Sequence, residues 1–289
     1  MIRWRLKTAK QARELDRLAA ERLQQLLEQK PETDSHGPNG FDGAARGVHP
    51  PSPSPAAFSV DVPPNDMTEL ADEMAARFFG FGNWAAPYWF IGQEPGTSPG
   101  EDADNSRIVQ AWAHQLGKRD LVDCREYHRA IRVSAWHGER ARLQTTWRPL
   151  MLFLMTALKR ETDREALRAY QRTRWGQIEN GETCVIDLSV IPGKKLSEKT
   201  DGKEYLEQRI WTIRRRLMLG GHPPKMVLMH GLAARPEWEE IAGVPLEPDT
   251  VVKVGSTLFV MAPSPTAYRR KNADWEMLGL QMREHLNSK

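Results

Sequence analysis

The 289-residue chain contains only two cysteines, Cys124 and Cys184. A disulfide framework needs more, and so does a cysteine-ligated zinc or iron–sulfur site. Two reduced, mostly buried thiols in a cytoplasmic protein are the simpler reading. Long apolar runs are also missing: stretches such as Leu150 to Leu158 fall far short of the ~20 residues of a membrane span. Met1 to Lys10 are basic but lack the apolar core of a secretory signal. A phosphate-cradling glycine motif and a metal-binding carboxylate cluster are absent too, which argues against nucleotide hydrolysis. Neither sign of charge dominates. A formal net charge of +3 permits nucleic acid as a partner without implying it. Tryptophan, by contrast, is abundant at ten residues, and it serves both cores and base-stacking surfaces, with cores the commoner use.

Composition divides the chain into three zones. Residues 1–30 are charged, with Leu15, Leu18, Leu23, Leu26 and Leu27 roughly on one side of a helix and nothing chemical on it. Residues 31–65 include His49-Pro50-Pro51-Ser52-Pro53-Ser54-Pro55 and are rich in Pro, Gly, Ser and Asp. Such a segment cannot bury enough surface to offset chain entropy, so it reads as a disordered linker. Residues 66–289 read as the folded domain, opened by Asp66 as N-cap with Glu69 three residues on. Met67 is an alternative start codon, which would leave residues 1–66 untranslated.

Within that domain, four short apolar runs end in Gly, Pro or Ser: Tyr88 to Gly92, Cys184 to Val190, Met226 to Gly231 and Thr257 to Ala262. Helical patterns lie between and around them. Leu70, Met74, Phe78 and Phe79 form one face, and Ile108, Ala111 and Trp112 another, stopped by Gly117. Leu150, Phe153, Leu154, Ala157 and Leu158 come after Pro149, and Thr162 with Glu165 makes a capping box. Leu206, Ile210, Ile213 and Leu217 mark a further helix, and Trp275, Leu278 and Met282 the last. Strands alternating with helices predict an α/β domain whose parallel sheet is covered on both faces. Ligands then bind beyond the carboxyl ends of the strands.

The segments that leave those carboxyl ends are therefore the informative ones. After the first strand comes Gly92-Gln93-Glu94-Pro95-Gly96, a tight turn that holds a carboxylate at the mouth of a site. In the second, Asp187 interrupts an apolar run, and Gly193-Lys194-Lys195 come shortly after it. A buried carboxylate needs donors or a function. The third ends at His230-Gly231, where a structural histidine is the commoner reading. The fourth runs into Pro263-Ser264-Pro265 and then Tyr268-Arg269-Arg270-Lys271. A rigid loop with cations beside an aromatic suits a DNA backbone and its bases.

The combination of GQEPG at 92–96 and APSP at 262–265, in this order, resembles the uracil-DNA glycosylase superfamily, over roughly residues 84–287. Its first-strand motif has the form G-Q-D-P or G-E-x-P-G, and its last-strand motif the form H-P-S-P. The resemblance implies a three-layer α/β/α sandwich with a four-stranded parallel sheet and DNA crossing the carboxyl ends. It places Glu94 where one branch has its water-activating Asp, and Gln93 where that branch contacts uracil through the backbone. Gly96 stands where that branch has a thymine-excluding Tyr, Asp187 where an Asn reads the base edge, and Ser264 on the phosphate-contacting loop. Two cysteines exclude the four-cysteine iron–sulfur cluster of some branches. Ala262 replaces a frequent His donor, a loss typically worth ~3 kcal/mol of transition-state stabilisation. An ionised Asp187 only accepts hydrogen bonds. Either it is protonated, or the correspondence is shifted by a residue or two, or the base is not plain uracil.

The implied activity is that of a monofunctional DNA glycosylase in base excision repair. It would release uracil or a related deaminated or damaged base and leave an abasic site, with no metal or cofactor. Glu94 positions water and stabilises the sugar cation, Gly92, Gly96 and Asp187 line the base pocket, and Tyr88 or Trp112 stacks on the base. Pro263, Ser264, Pro265, Lys194, Lys195, Arg269, Arg270 and Lys271 hold DNA, single- or double-stranded. No membrane is involved. Two alternatives stay open: a glycosylase-like fold that binds DNA without chemistry, and an unrelated α/β enzyme or interaction protein. Loops 92–96 and 262–265 lying apart would favour the last.

Overall fold

The computed structural model describes residues 64–93, 105–133, 135–189, 202–219 and 221–288. All of them belong to the unit Val62–Lys289. Expectations for residues 1–63, and those for Glu94, Pro95, Gly96, Lys194 and Lys195, lie outside the described residues.

The elements run α1 (Pro64–Arg77), β1 (Gly80–Gly82), β2 (Tyr88–Gly92), α2 (Asn105–Gln110, extended by a π-turn over Ala111–Gln115), β3 (Leu121–Val122), α3 (Cys124–Ala130), α4 (Trp147–Ala157), α5 (Arg164–Thr173), β4 (Thr183–Asp187), α6 (Gly202–Leu219), β5 (Met226–His230), α7 (Arg235–Ala242), β6 (Val251–Val254), β7 (Thr257–Ala262) and α8 (Asn272–Asn287). The sheet order is β3-β1-β4-β2-β5-β7-β6. The four strands foreseen from the sequence lie side by side and parallel, with Gly92 beside Asp187 and His230 beside Ala262. The expected four-stranded parallel sheet is nonetheless incorrect. β1 runs antiparallel to β4, β3 runs parallel to β1, and β6 runs antiparallel to β7, which makes a seven-stranded mixed sheet. The added strands are two to four residues long, too short to display a period of two.

Alternating side chains send the two faces of the central strands into two cores. Phe90, Val185, Leu228 and Val260 pack with α4, α5 and α8. Trp89, Ile91, Ile186, Val227, Met229 and Phe259 pack with α6 and α7. A third cluster joins α1, α2 and α3, through Met74, Phe78, Trp112, Val122 and Tyr127. Six tryptophans (89, 112, 147, 175, 238 and 275) are buried in the core, so core packing accounts for more than half of the ten.

Three expected helix starts move. α1 begins at Pro64, ahead of Asp66, and α4 begins at Trp147, ahead of Pro149. The cap of α5 is Asp163, whose carboxylate accepts from the Glu165 and Ala166 amides, in place of a Thr162–Glu165 box. A carboxylate at the N-cap satisfies the free amides of the first turn and complements the helix dipole. Among the described residues no helix is long and apolar enough to cross a membrane.

Candidate functional site

The carboxyl ends of β4, β2, β5 and β7 bring together four short segments that are far apart in sequence. Gly92 is the floor. A Cβ on it would collide with Asp187 Oδ1 and sit 2.7 Å from His230 Cε1. The side chains of Asp187 and His230 therefore converge over this glycine from the two neighbouring strands. Only a residue without a side chain leaves room for both. Gln93, one residue on, reaches over to β5: a Cβ on Gly231 would lie 2.9 Å from Gln93 Cδ. Gly231 has φ +101°, which also favours glycine.

Backbone hydrogen bonds fix these segments. Leu188 N donates to Gly92 O at 2.8 Å and Ser189 N to Gln93 O at 2.9 Å, so the β2 and β4 ends continue their pairing past the sheet. Gly231 N donates to Ala262 O at 3.0 Å, and the buried Trp238 indole donates to Gly231 O at 2.8 Å. Beneath Asp187 lies Arg209, only 1% exposed. Its guanidinium donates to Asp187 O at 2.6 Å, Phe78 O at 2.7 Å and Ala75 O at 3.0 Å, and it lies 4.2 Å over the Phe79 ring. One buried cation thus ties the end of α1 to the strand end that carries Asp187. Burial brings its pKa down to about 10, opposed by the Asp187 charge. Burial also pushes the His230 ring down to about 4, so it is neutral at physiological pH, with one nitrogen donating and the other accepting.

The expected DNA-contacting loop leaves β7. Pro263 and Ser264 are half-buried, Pro265 is buried, and Ser264 Oγ lies 3.2 Å from Thr266 Oγ1. Ala267 N donates to Ser264 O at 2.9 Å, closing the turn. Tyr268 then stands 92% exposed, with Arg269 5.8 Å from its ring centre, and Arg269 and Lys271 are exposed.

Three expected site residues are misplaced. Tyr88 opens β2, at the end away from Gly92, about 13 Å along the strand. It is buried near Glu182 and Arg160. Trp112 is fully buried in the third cluster, its indole donating to Arg119 O at 2.8 Å, so it presents no face to a base. Arg270 makes a two-pronged pair with Asp249 at 2.7 and 2.8 Å and lies 4.4 Å over Trp275. It braces the loop and is not a free phosphate ligand. His230 and Arg209 are the residues that the sequence underrated. Arg209 had a legible signal, since it shares the apolar stripe of Leu206, Ile210 and Ile213.

One group of metal-ligating type occurs among the described residues: Cys124, His128 and His137. It does not belong to this site. Cys124 comes two residues after the end of β3, which is parallel to β1, and β1 runs opposite to β4, with Gly82 beside Cys184. The group therefore sits toward the amino end of β4.

No family model matches the chain, and no curated protein matches it by sequence.

Proposed function

We propose that this protein is a monofunctional DNA glycosylase that releases uracil or a related deaminated base and leaves an abasic site. The observation that carries the reading is the convergence of Asp187 and His230 over Gly92, with Gln93 against Gly231, beside the Pro263-Ser264-Pro265 loop. The two motif-bearing strands, β2 and β7, are separated only by β5, or about 10 Å at ordinary strand spacing. A single base held over β5 would meet both loops.

In this reading the target nucleotide leaves the stack and enters the cleft above Gly92. Glu94 orients water and stabilises the sugar cation as the glycosidic bond breaks. Negative charge develops on the departing base. His230, neutral and paired in register with Ala262 on the next strand, supplies the N–H donor that Ala262 cannot. Asp187 addresses a donor on the base edge, which suits a ring N–H or an exocyclic amine. Tyr268, exposed at the rim, stacks in the space that the extruded base vacates, and Arg269 and Lys271 hold phosphates.

The test is a panel of oligonucleotides carrying uracil, xanthine or hypoxanthine, single- and double-stranded, assayed for alkali-sensitive sites. Wild type should cleave at least one of them, and Glu94→Gln should lose on the order of 10³-fold in rate with unchanged melting temperature. Intact strands throughout would overturn the reading. A second reading, DNA binding without chemistry, draws support from Ala262, whose side chain is fully buried in the core and gives the last strand no donor. Salt-dependent binding without base release would select it.

A further inference from the structure

The Cys124, His128 and His137 side chains meet with no role in that chemistry. Cys124 and His128 stand one helical turn apart on α3, which puts both on one face. His137 comes from the irregular segment between α3 and α4. The three ligand atoms form a closed triangle: Cys124 Sγ to His128 Nδ1 is 3.6 Å, Cys124 Sγ to His137 Nε2 is 3.8 Å, and His137 Nε2 to His128 Nδ1 is 3.3 Å. A tetrahedral zinc ion has metal–sulfur bonds of about 2.3 Å and metal–nitrogen bonds of about 2.05 Å, so its sulfur–nitrogen edges are about 3.6 Å and its nitrogen–nitrogen edge about 3.3 Å. The triangle has the edges of one face of such a tetrahedron.

Hydrogen bonding alone does not account for it. His128 Nδ1 lies 2.6 Å from Cys124 O, so in the metal-free form its proton is committed to that carbonyl and no lone pair faces the other two groups. His137 Nδ1 is buried without a hydrogen-bond partner, so no hydrogen bond on that side holds the ring. The His137 ring packs against the Trp147 and His128 rings, and its Nε2 faces the other two ligand atoms.

We propose that Cys124, His128 and His137 bind one zinc-class divalent cation through Sγ, Nδ1 and Nε2, with a water at the fourth vertex. On binding, the Cys124 thiol loses its proton to solvent. His128 gives up its bond to Cys124 O, and its ring proton passes through solvent to Nε2. No redox change is involved. The site is a staple and not a catalytic centre, because it lies toward the amino end of β4, away from Gly92. What it fastens is the segment 131–146, which is otherwise clamped by the buried Gln171: its amide nitrogen donates to Trp136 O at 2.8 Å and Arg142 O at 2.9 Å, and its oxygen accepts from Gln144 N at 3.0 Å.

The test uses the full chain, purified without chelators or a histidine tag, with metal content measured by elemental mass spectrometry. About one zinc per chain is expected. After zinc removal, titration with Co²⁺ should give the visible bands of a tetrahedral site and a thiolate charge-transfer band, the latter lost in Cys124→Ser. His137→Ala, at the more exposed corner, should weaken zinc binding by at least 100-fold. Zinc removal should speed proteolytic cleavage within 131–146 by at least tenfold. Folded wild-type protein with far less than one metal per chain and no cobalt charge-transfer band would overturn the proposal. So would wild-type zinc affinity in His137→Ala.

Discussion

The two polar clusters of this domain are built in opposite ways. The one at the strand carboxyl ends draws Gln93, Asp187, His230 and Ser264 from four different strand ends, and the register of a parallel sheet brings them level. The Cys124–His128–His137 group is assembled from one helical turn and the loop beyond it. The first depends on the whole sheet and tolerates no slip, because a one-residue shift turns every side chain to the other face. The second needs only α3 and a short connection. The proposed chemistry, which must grip a ligand from several sides, would thus sit where many strands end, and the proposed fastening role would fall to a local feature.

That contrast can be broken experimentally. The largest effect is expected at Arg209, which contacts the first cluster and not the second. Arg209→Met removes the buried donor to the Ala75, Phe78 and Asp187 carbonyls and should cost about 3–5 kcal/mol in urea unfolding, with zinc binding unchanged. An equal loss of zinc would mean that the two clusters are not separable.

Next in size is His230. If it replaces the donor missing at Ala262, His230→Ala should slow base release by about 100-fold in single-turnover assays, and an unchanged rate would dismiss that role. Its ring also makes stability depend on pH. The folded protein holds it at about 4, below the ordinary 6.5, so the unfolded chain binds the extra proton first. The contribution of His230 is complete above pH 6.5 and is lost as pH falls toward 4. His230→Asn should flatten that part of the acid limb in denaturant titrations run across pH.

The smallest effect concerns the rim. Tyr268→Ala should slow excision from duplex DNA by about tenfold and from single strands much less, since only a duplex has a gap to fill. Equal losses on both substrates would remove the stacking role.

The legibility of these features depends on their range. The strands Tyr88–Gly92 and Thr257–Ala262 could be bounded from composition to the residue, because continuous apolar runs between turn residues have few other readings. β1 could not, since a Gly-Phe-Gly strand has one side chain and no alternation. The helix starts moved by one to three residues, and for α5 two capping candidates, Thr162 and Asp163, are adjacent. Tyr88 and Trp112 were misassigned for a different reason. An aromatic looks alike whether it faces a base or a core, and only the end of the strand it occupies, or the cluster around it, tells them apart.

By itself the sequence determined the α/β class, the place of the four central strands along the chain and the segments that leave their carboxyl ends. Each of these comes from hydrophobic period and from Gly and Pro placement, which are properties of neighbours along the chain. The tertiary structure alone decided that His230 and Asp187 share the space over Gly92, that Arg209 lies beneath them, that Arg270 is committed to Asp249, and that His137 closes on Cys124 and His128. Those contacts join residues through strand register and loop closure, and periodicity specifies which way a side chain faces without specifying what it meets.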